Sequence, residues 1–241
     1  MKLYYDFHIH SCLSPCGDND MTPYNLVNMA KILGLDMIAL TDHNTCQNCR
    51  SAMQAGEKIG LTVIAGMELC TVEEAHVICL FPDLDSAESF SEYVISGMPP
   101  VKNRPEIFGN QLMMDCEDKI IGTQEKLLTL ASSISISNVC DTVSQYGGVC
   151  YPAHIDRSSF SVISNLGMIT PDMKFSTVEM TDSADREKLK AEHPILNGAK
   201  IMSGSDAHYL ENMKEASHTV DLSECSAKAL IEYIKNLPQM K

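Results

Sequence analysis

Short apolar runs alternate with helix-period segments along most of this chain, and that alternation limits its possible folds more than any other feature. Residues 2–10 (KLYYDFHIH) read as a strand from their β-formers and period-two pattern. Thr22 and Pro23 then open a helix as N-cap and first helical residue. Leu26, Met29, Ala30 and Leu33 supply its 3–4 spacing and Gly34 its stop. Further strands fall at 37–43, 61–69, 76–81, 147–154, 177–180 and 199–208. Further helices fall at 48–59 (closed by Gly60), 86–95, 138–145 and 226–236. Such alternation predicts an α/β protein with a parallel sheet, closed most simply into a (β/α) barrel. Residues 98–135 interrupt the pattern with a proline-containing stretch and a small hairpin turning near Glu117 and Asp118. The segment is too short to own a core, so it reads as an insertion on one domain spanning residues 1–241.

Six of the eight histidines lie at the ends or starts of these strands: His8, His10, His43, His76, His154 and His208. Strand-end loops are where a parallel α/β barrel assembles its active site. A strand has period two, so His8 and His10 share a face and can hold one ion together. Asp206 and His208 repeat that spacing, and Glu68 ends a strand with a carboxylate able to bridge. A lone strand-end histidine is more often a hydrogen-bonded rim residue than a ligand. Six of them accompanied by two acids make a metal site. Imidazole-rich ligation with carboxylates points to two or three divalent ions of Zn, Mn or Fe rather than Ca or Mg. His193 and His218 sit in polar contexts without partners and read as surface residues.

Lys and Arg total 18 against 32 Asp and Glu, a net charge of −14. A field of that sign repels polyphosphate, so long nucleic acid is not an expected partner. Metal ions, not a Lys/Arg patch, would then attract the anionic substrate. No run approaches the ~18–20 apolar residues of a membrane span, and Met1 leads straight into a strand without a signal-peptide layout. The ten cysteines are scattered, and Cys79 and Cys150 lie inside apolar runs. The expectation is a reduced, cytoplasmic protein with no membrane association and with most thiols in the core. Cys46 and Cys49 form a CxxC without a second such pair, which favours core thiols over a redox or metal role. No GxGxxG, GxxxxGK[ST] or GxSxG motif occurs.

The motifs HIH (His8, His10), LTDH (ending at His43), GMEL (Glu68), His76, YPAH (His154) and SDAH (Asp206, His208) together resemble the polymerase and histidinol phosphatase (PHP) superfamily, in this order and over residues 6–208. The resemblance implies a distorted seven-stranded (β/α) TIM-like barrel and a cluster of two or three ions that hydrolyses phosphate esters. It implies one ion on His8, His10, Glu68 and Asp206, and a second on Glu68 with His76 and His154. A third would rest on His43, His208 and a residue of the loop after the first strand. Family members place His or Asp in that loop, whereas this chain reads SCLSPCGDND at 11–20. Cys16 stands at the position in an ungapped reading, with Asp18 and Asp20 as alternatives. Asp42 faces away from His43 on an extended strand and reads as a partner to a ligand.

The expected activity is a metal-dependent phosphoesterase acting on a small phosphate monoester or a nucleotide end through a metal-activated water. Asp206 is also the candidate proton acceptor. Arg157 is the candidate phosphate contact through its guanidinium fork, against an ion pair with Asp156. Two other classes stand beside this reading. One is a non-catalytic metal-binding module, disfavoured because the core ligands are all retained. The other is a C–N hydrolase of the amidohydrolase type, disfavoured because Glu68 holds the bridging place and no lysine occupies a strand-end motif.

Overall fold

The computed structural model describes residues 1–241. In chain order the elements are β1 (Lys2–Ile9), α1 (Pro23–Ile32), β2 (Met37–Leu40), α2 (Cys49–Ile59), β3 (Thr62–Cys70), β4 (His76–Leu80), α3 (Leu84–Gly97), α4 (Pro105–Phe108), β5 (Leu112–Met114), β6 (Ile120–Thr123), α5 (Val139–Gln145), β7 (Val149–Pro152), α6 (Val162–Leu166), β8 (Thr177–Glu179), α7 (Arg186–Glu192), β9 (Lys200–Met202), β10 (Thr219–Asp221) and α8 (Ala227–Lys235). The helix signals act where expected. Thr22 accepts from the Asn25 amide at the start of α1, with Pro23 in the first turn. Gly60 closes α2 in the left-handed conformation (φ 68°).

The main sheet has six strands in the order β10-β1-β2-β3-β4-β7. Its two faces carry different cores. The larger lies between the sheet and the outer helices and includes Leu26, Val27, Ile38, Leu40, Val63 and Phe90. The smaller fills the other face and includes Tyr5, Phe7, Ile64, Ile78 and Tyr151, with Leu230 and Ile231 of α8 closing it. Of the ten free thiols six are buried, Cys46 and Cys49 among them, and the Sγ atoms of that pair contact the Gly66 carbonyl at 3.1 and 3.5 Å.

Two departures from the expected parallel barrel position the site. First, the sheet is mixed. β1, β2 and β3 run parallel, but β3 pairs antiparallel with β4, and β4 antiparallel with β7. Residues 71–75 are too few for a parallel crossover, which needs a dozen or more, so the chain makes a hairpin. The reversal of β4 brings its first residue, His76, to the rim where β1, β2, β3 and β7 end. Second, no continuous seven-stranded barrel forms. β8 and β9 make a separate two-stranded parallel sheet. It is tied to the β7 side by the Ile155 amide on the Glu179 carbonyl (2.9 Å) and to β1 by a bridge between Ile9 and Ala207. β7 stops at Pro152, which has no amide to donate. His154 and Asp206 then adopt positive φ (29° and 51°), which turns both chains out of the ladder.

The insertion holds the expected hairpin, β5 against β6, with Asp118 in its turn at φ 60°. It is fastened to α2, where Asn48 bonds the Leu112 carbonyl and the Met114 amide, and Ser51 the Met114 carbonyl. Asp118 in turn accepts from the Tyr24 amide at the start of α1. No helix of the chain is long and apolar enough to cross a membrane.

Candidate metal centre

A single bulge aims the first two histidines. Between Asp6 and Ile9 the β1/β2 register shifts by one residue. Before the bulge the odd positions Leu3, Tyr5 and Phe7 face the smaller core. After it His8 and His10 turn to that side, and Ile9 joins the larger core. Bulges beside functional sites often re-aim side chains in this way.

Glu68 is the hub. Its Oε1 lies 3.2 Å from His8 Nε2, 2.9 Å from His76 Nδ1 and 3.1 Å from His154 Nε2, and its Oε2 lies 2.9 Å from His43 Nδ1 and 3.4 Å from His10 Nε2. Asp206 Oδ1 sits 3.1 Å from the Nε2 atoms of both His8 and His10. Those two nitrogens are 3.2 Å apart. His208 stacks on His10 with ring centroids 4.1 Å apart. All these side chains are buried or nearly so.

The outward-facing nitrogens explain what the inward ones are for. His8 Nδ1 contacts both oxygens of the buried Glu179 (2.9 and 3.1 Å). His10 Nδ1 contacts Ser14 Oγ (2.9 Å), which itself donates to Asp42 (2.7 Å). In the neutral rings these acceptors take the Nδ1 protons, and the Nε2 lone pairs of His8 and His10 then point at each other and at carboxylate oxygens. His154 Nδ1 is buried with no hydrogen-bond partner, and His43 Nδ1 and Asp206 Oδ1, though close to Glu68 and to the two Nε2 atoms, are buried without a well-directed hydrogen bond. Groups of that kind are rare and costly unless something completes them. A cation fits this donor set, because it accepts converging lone pairs from imidazole and carboxylate. Three groupings have ligand atoms within 4.8 Å of one another: His8, His10, Glu68 and Asp206; His43, Glu68 and His76; and His10, His43 and His208. The first is the set the resemblance implied. In the second His43 stands where His154 was expected, with His154 held on Glu68, and in the third His10 joins His43 and His208.

Burial and the mutual attraction of imidazoles and carboxylates set the electrostatics of the cluster. Burial opposes charge on Glu68, yet His76, His8 and His43 hold its carboxyl well below the usual range. Burial likewise opposes protonation of His10 and His43, but Glu68, joined at His10 by Asp206, lifts both to about 9. His208, buried beside His10, is pushed down to about 3. His154 and Asp206 hold strained backbone conformations, which cluster at functional sites.

Around the centre the expectations divide. Cys16 lines the pocket beside His43. Asp18 and Asp20 turn away, the Asp20 amide capping Asp18 Oδ1 (2.8 Å). Arg157 does not pair with Asp156. It forms an ion pair with Asp206 Oδ2, while Asp156 accepts from the Thr181 amide (2.9 Å) and hydroxyl. Glu179 was not singled out in the sequence. It ends a three-residue strand with no pattern to mark it, and only the carboxylate at a strand end hints at its role. The centre opens into a pocket of about 270 Å³ that includes His43, His76, Thr129 and Phe160. A polar cleft of about 640 Å³ adjoins it, sharing His154, Arg157, Ser159 and Asp206, and includes Lys214.

A curled α/β sheet whose rim gathers six imidazoles onto two carboxylates is the layout of a metal-dependent hydrolase. A family model described as the PHP domain matches residues 6–220, and the chain belongs to that family. Among curated proteins it is 31% identical over 94 residues to an uncharacterized protein of Methanocaldococcus jannaschii, covering 36% of this chain and 54% of that one. It is 36% identical over 71 residues to a 5'-3' exoribonuclease of Haemophilus influenzae, covering 30% of this chain and 25% of the enzyme. The matched parts are thus about half and a quarter of those relatives. Among solved structures, the lesion-specific endonuclease Q of Pyrococcus furiosus superimposes with a TM-score of 0.67 at 16% identity, over 99% of this chain and 57% of that one. Endonuclease Q in complex with a 27-mer duplex substrate carrying an abasic lesion gives 0.64 at 17%, with the same coverages. A metal-dependent phosphoesterase assignment from Bifidobacterium adolescentis gives 0.58 at 20%, over 95% and 94% of the two chains. At these identities the structural likeness is one of fold.

These findings correct the expectation that an acidic chain of this kind is confined to small phosphorylated partners and excludes long nucleic acid. The fold is that of a protein solved on duplex DNA, and a relative is an exoribonuclease. Net charge averages over the whole surface, whereas binding responds to the field in one cleft, where bound cations dominate.

Proposed function

We propose that this chain is a metal-dependent phosphoesterase that hydrolyses phosphoester bonds of nucleic acids or of nucleotide ends. The observation that carries the reading is the meeting of His8 Nε2, His10 Nε2 and Asp206 Oδ1 within 3.2 Å of one another, while the Nδ1 atom of each ring has an acceptor of its own. Family membership and the nucleases and phosphoesterase that share the fold support it. The reading takes residues 1–241 as one catalytic domain.

His8, His10, Glu68 and Asp206 would hold one divalent ion. Glu68 with His43, His76 and His154 would hold a second. His43 and His208, with His10 or Cys16, offer a third place, and imidazole-rich ligation favours Zn, Mn or Fe. Such ions supply a nucleophilic water near neutral pH and neutralise charge on the phosphoryl oxygens. The protein's own groups do the rest. Glu179 and Ser14 fix the tautomers of His8 and His10. Arg157, 43% exposed and anchored on Asp206, presents its remaining N–H donors to a phosphate in the cleft. The Asp206 carboxyl is driven below its ordinary range by His8 and His10 against the effect of burial, so it serves as a ligand better than as a proton acceptor.

The test is hydrolysis of end-labelled DNA and RNA oligonucleotides and of nucleoside phosphates after loading with Mn, Zn or Fe. Metal-dependent cleavage that a chelator abolishes and that is lost in the His8→Ala/His10→Ala double variant supports the reading. Cleavage that survives in that variant contradicts it.

A further inference from the structure

Phe160 is the one benzene ring in the pocket beside the candidate metal centre. The residue is 46% exposed, between the exposed Ser159 and the buried Ser161, in a mouth whose other lining residues, Cys16 aside, are polar or ionisable. Its backbone is in the left-handed region (φ 53°), a rare state for a bulky side chain. The carbonyl of Phe160 holds that conformation by accepting from the His76 amide (2.8 Å). The ring lies over the His76 imidazole, with centroids 4.9 Å apart and planes 22° from parallel. One face is therefore covered and the ring is fixed in direction, while the residue stays exposed and lines the cavity. Arg157 lies three residues earlier on the same loop and lines the same pocket.

We propose that Phe160 is a stacking platform for a planar base carried by the substrate, so that this centre selects nucleoside phosphoesters over base-free phosphoesters. The proposal rests on the phosphoesterase reading above and adds the specificity-determining residue. Base stacking on an aromatic side chain tolerates any base, because each presents a π-face, and it suits a ring already immobilised against a neighbour. An apolar platform beside cation-binding and guanidinium groups matches a ligand that is flat at one end and anionic at the other. An aliphatic phosphate would leave the ring in water and gain nothing from it.

The chain contains no tryptophan, so Phe160→Trp installs its single indole at this position. In the Mn-loaded variant, adenosine 5'-monophosphate is expected to quench indole emission saturably, and ribose 5-phosphate is expected not to. Equal quenching by both, or none by either, overturns the proposal. Phe160→Leu is the second probe, read by calorimetric titration. It is expected to raise the Kd for adenosine 5'-monophosphate about 5- to 150-fold more than the Kd for ribose 5-phosphate. An equal change for the two ligands makes Phe160 merely structural. Selective quenching in a protein that cleaves no phosphoester leaves the stacking platform standing and removes the hydrolase reading instead.

Discussion

The Nδ1 atom of His8 lies 2.9 and 3.1 Å from the two oxygens of Glu179, a contact between residues 171 apart in sequence. Glu179 also accepts from the His154 amide (3.1 Å), so one buried carboxylate orients two of the six imidazole residues. Carboxylate partners of this kind fix the ring and raise its basicity as a ligand. Glu179→Ala is therefore expected to weaken metal affinity about 10- to 100-fold. Glu179→Gln, whose amide oxygen still accepts one proton, should recover part of that loss. Titration of the ion-free variants with Mn or Zn checks both, and an unaltered affinity in Glu179→Ala would remove the residue from the centre.

Ser14 links Asp42 to His10 by hydrogen bonds of 2.7 and 2.9 Å. Ser14→Ala leaves the His10 Nδ1 proton buried without an acceptor, a cost of about 1–3 kcal/mol. Asp42 keeps the Ser11 amide (2.7 Å) and hydroxyl, so the strand end should stay folded. Thermal unfolding with and without metal reads the outcome. The stabilisation conferred by metal is expected to shrink, and a variant in which it is unchanged would contradict the relay.

Gly204 has no room for a side chain. A Cβ there would lie 2.5 Å from His8 Cβ and 2.9 Å from Glu179 Oε2. Gly204→Ala should destabilise the protein by about 1–3 kcal/mol, as overpacking does, and should lower metal affinity because it displaces both members of the orienting pair. Denaturant unfolding measures the first effect and metal titration the second. Loss of stability with normal metal affinity would separate the glycine from the centre.

Without ions the cluster should show a particular pH dependence. His10 and His43 are raised from 6.5 to about 9 in the folded chain. A raised folded value stabilises fully below the unfolded value and is lost as pH climbs through the folded one, so their contribution fades between about pH 6.5 and pH 9. Glu68 and Asp206 are lowered, so theirs is present above the ordinary carboxylate range and is lost only in acid. The ion-free protein is expected to weaken from pH 6.5 to pH 9 in denaturant titrations. Metal loading should reverse the trend and release protons in weakly buffered solution near pH 7, since ligating imidazoles are neutral. Stability that is flat or rising over that window in the ion-free protein would contradict the assignment.

What the sequence discloses here depends on how local the signal is. β1, β2 and β3 and the helices α1, α2 and α8 carry local patterns of alternation, helical spacing, capping or glycine stops, and they form within a few residues of where those patterns place them. β10 and α7 escape notice because three and seven residues carry too little periodicity to register. The antiparallel turn of β4 was legible in principle from the five residues between Cys70 and His76, but the strand–helix rhythm around it suggested a parallel sheet. The site follows the same rule. Histidines at strand ends announce themselves, whereas Glu179 and the Arg157–Asp206 pair depend on contacts between segments distant in sequence. The bulge at β1 has no sequence mark at all, although it decides which way His8 and His10 point.

The most direct test is the metal content of the purified protein after incubation with Mn, Zn and Fe and removal of free ions, read by elemental analysis for the natural chain and for Glu68→Ala. Two or three transition ions per natural chain, falling to one or none in the variant, is the predicted result. A natural chain that retains no ion under any of these conditions would contradict the account.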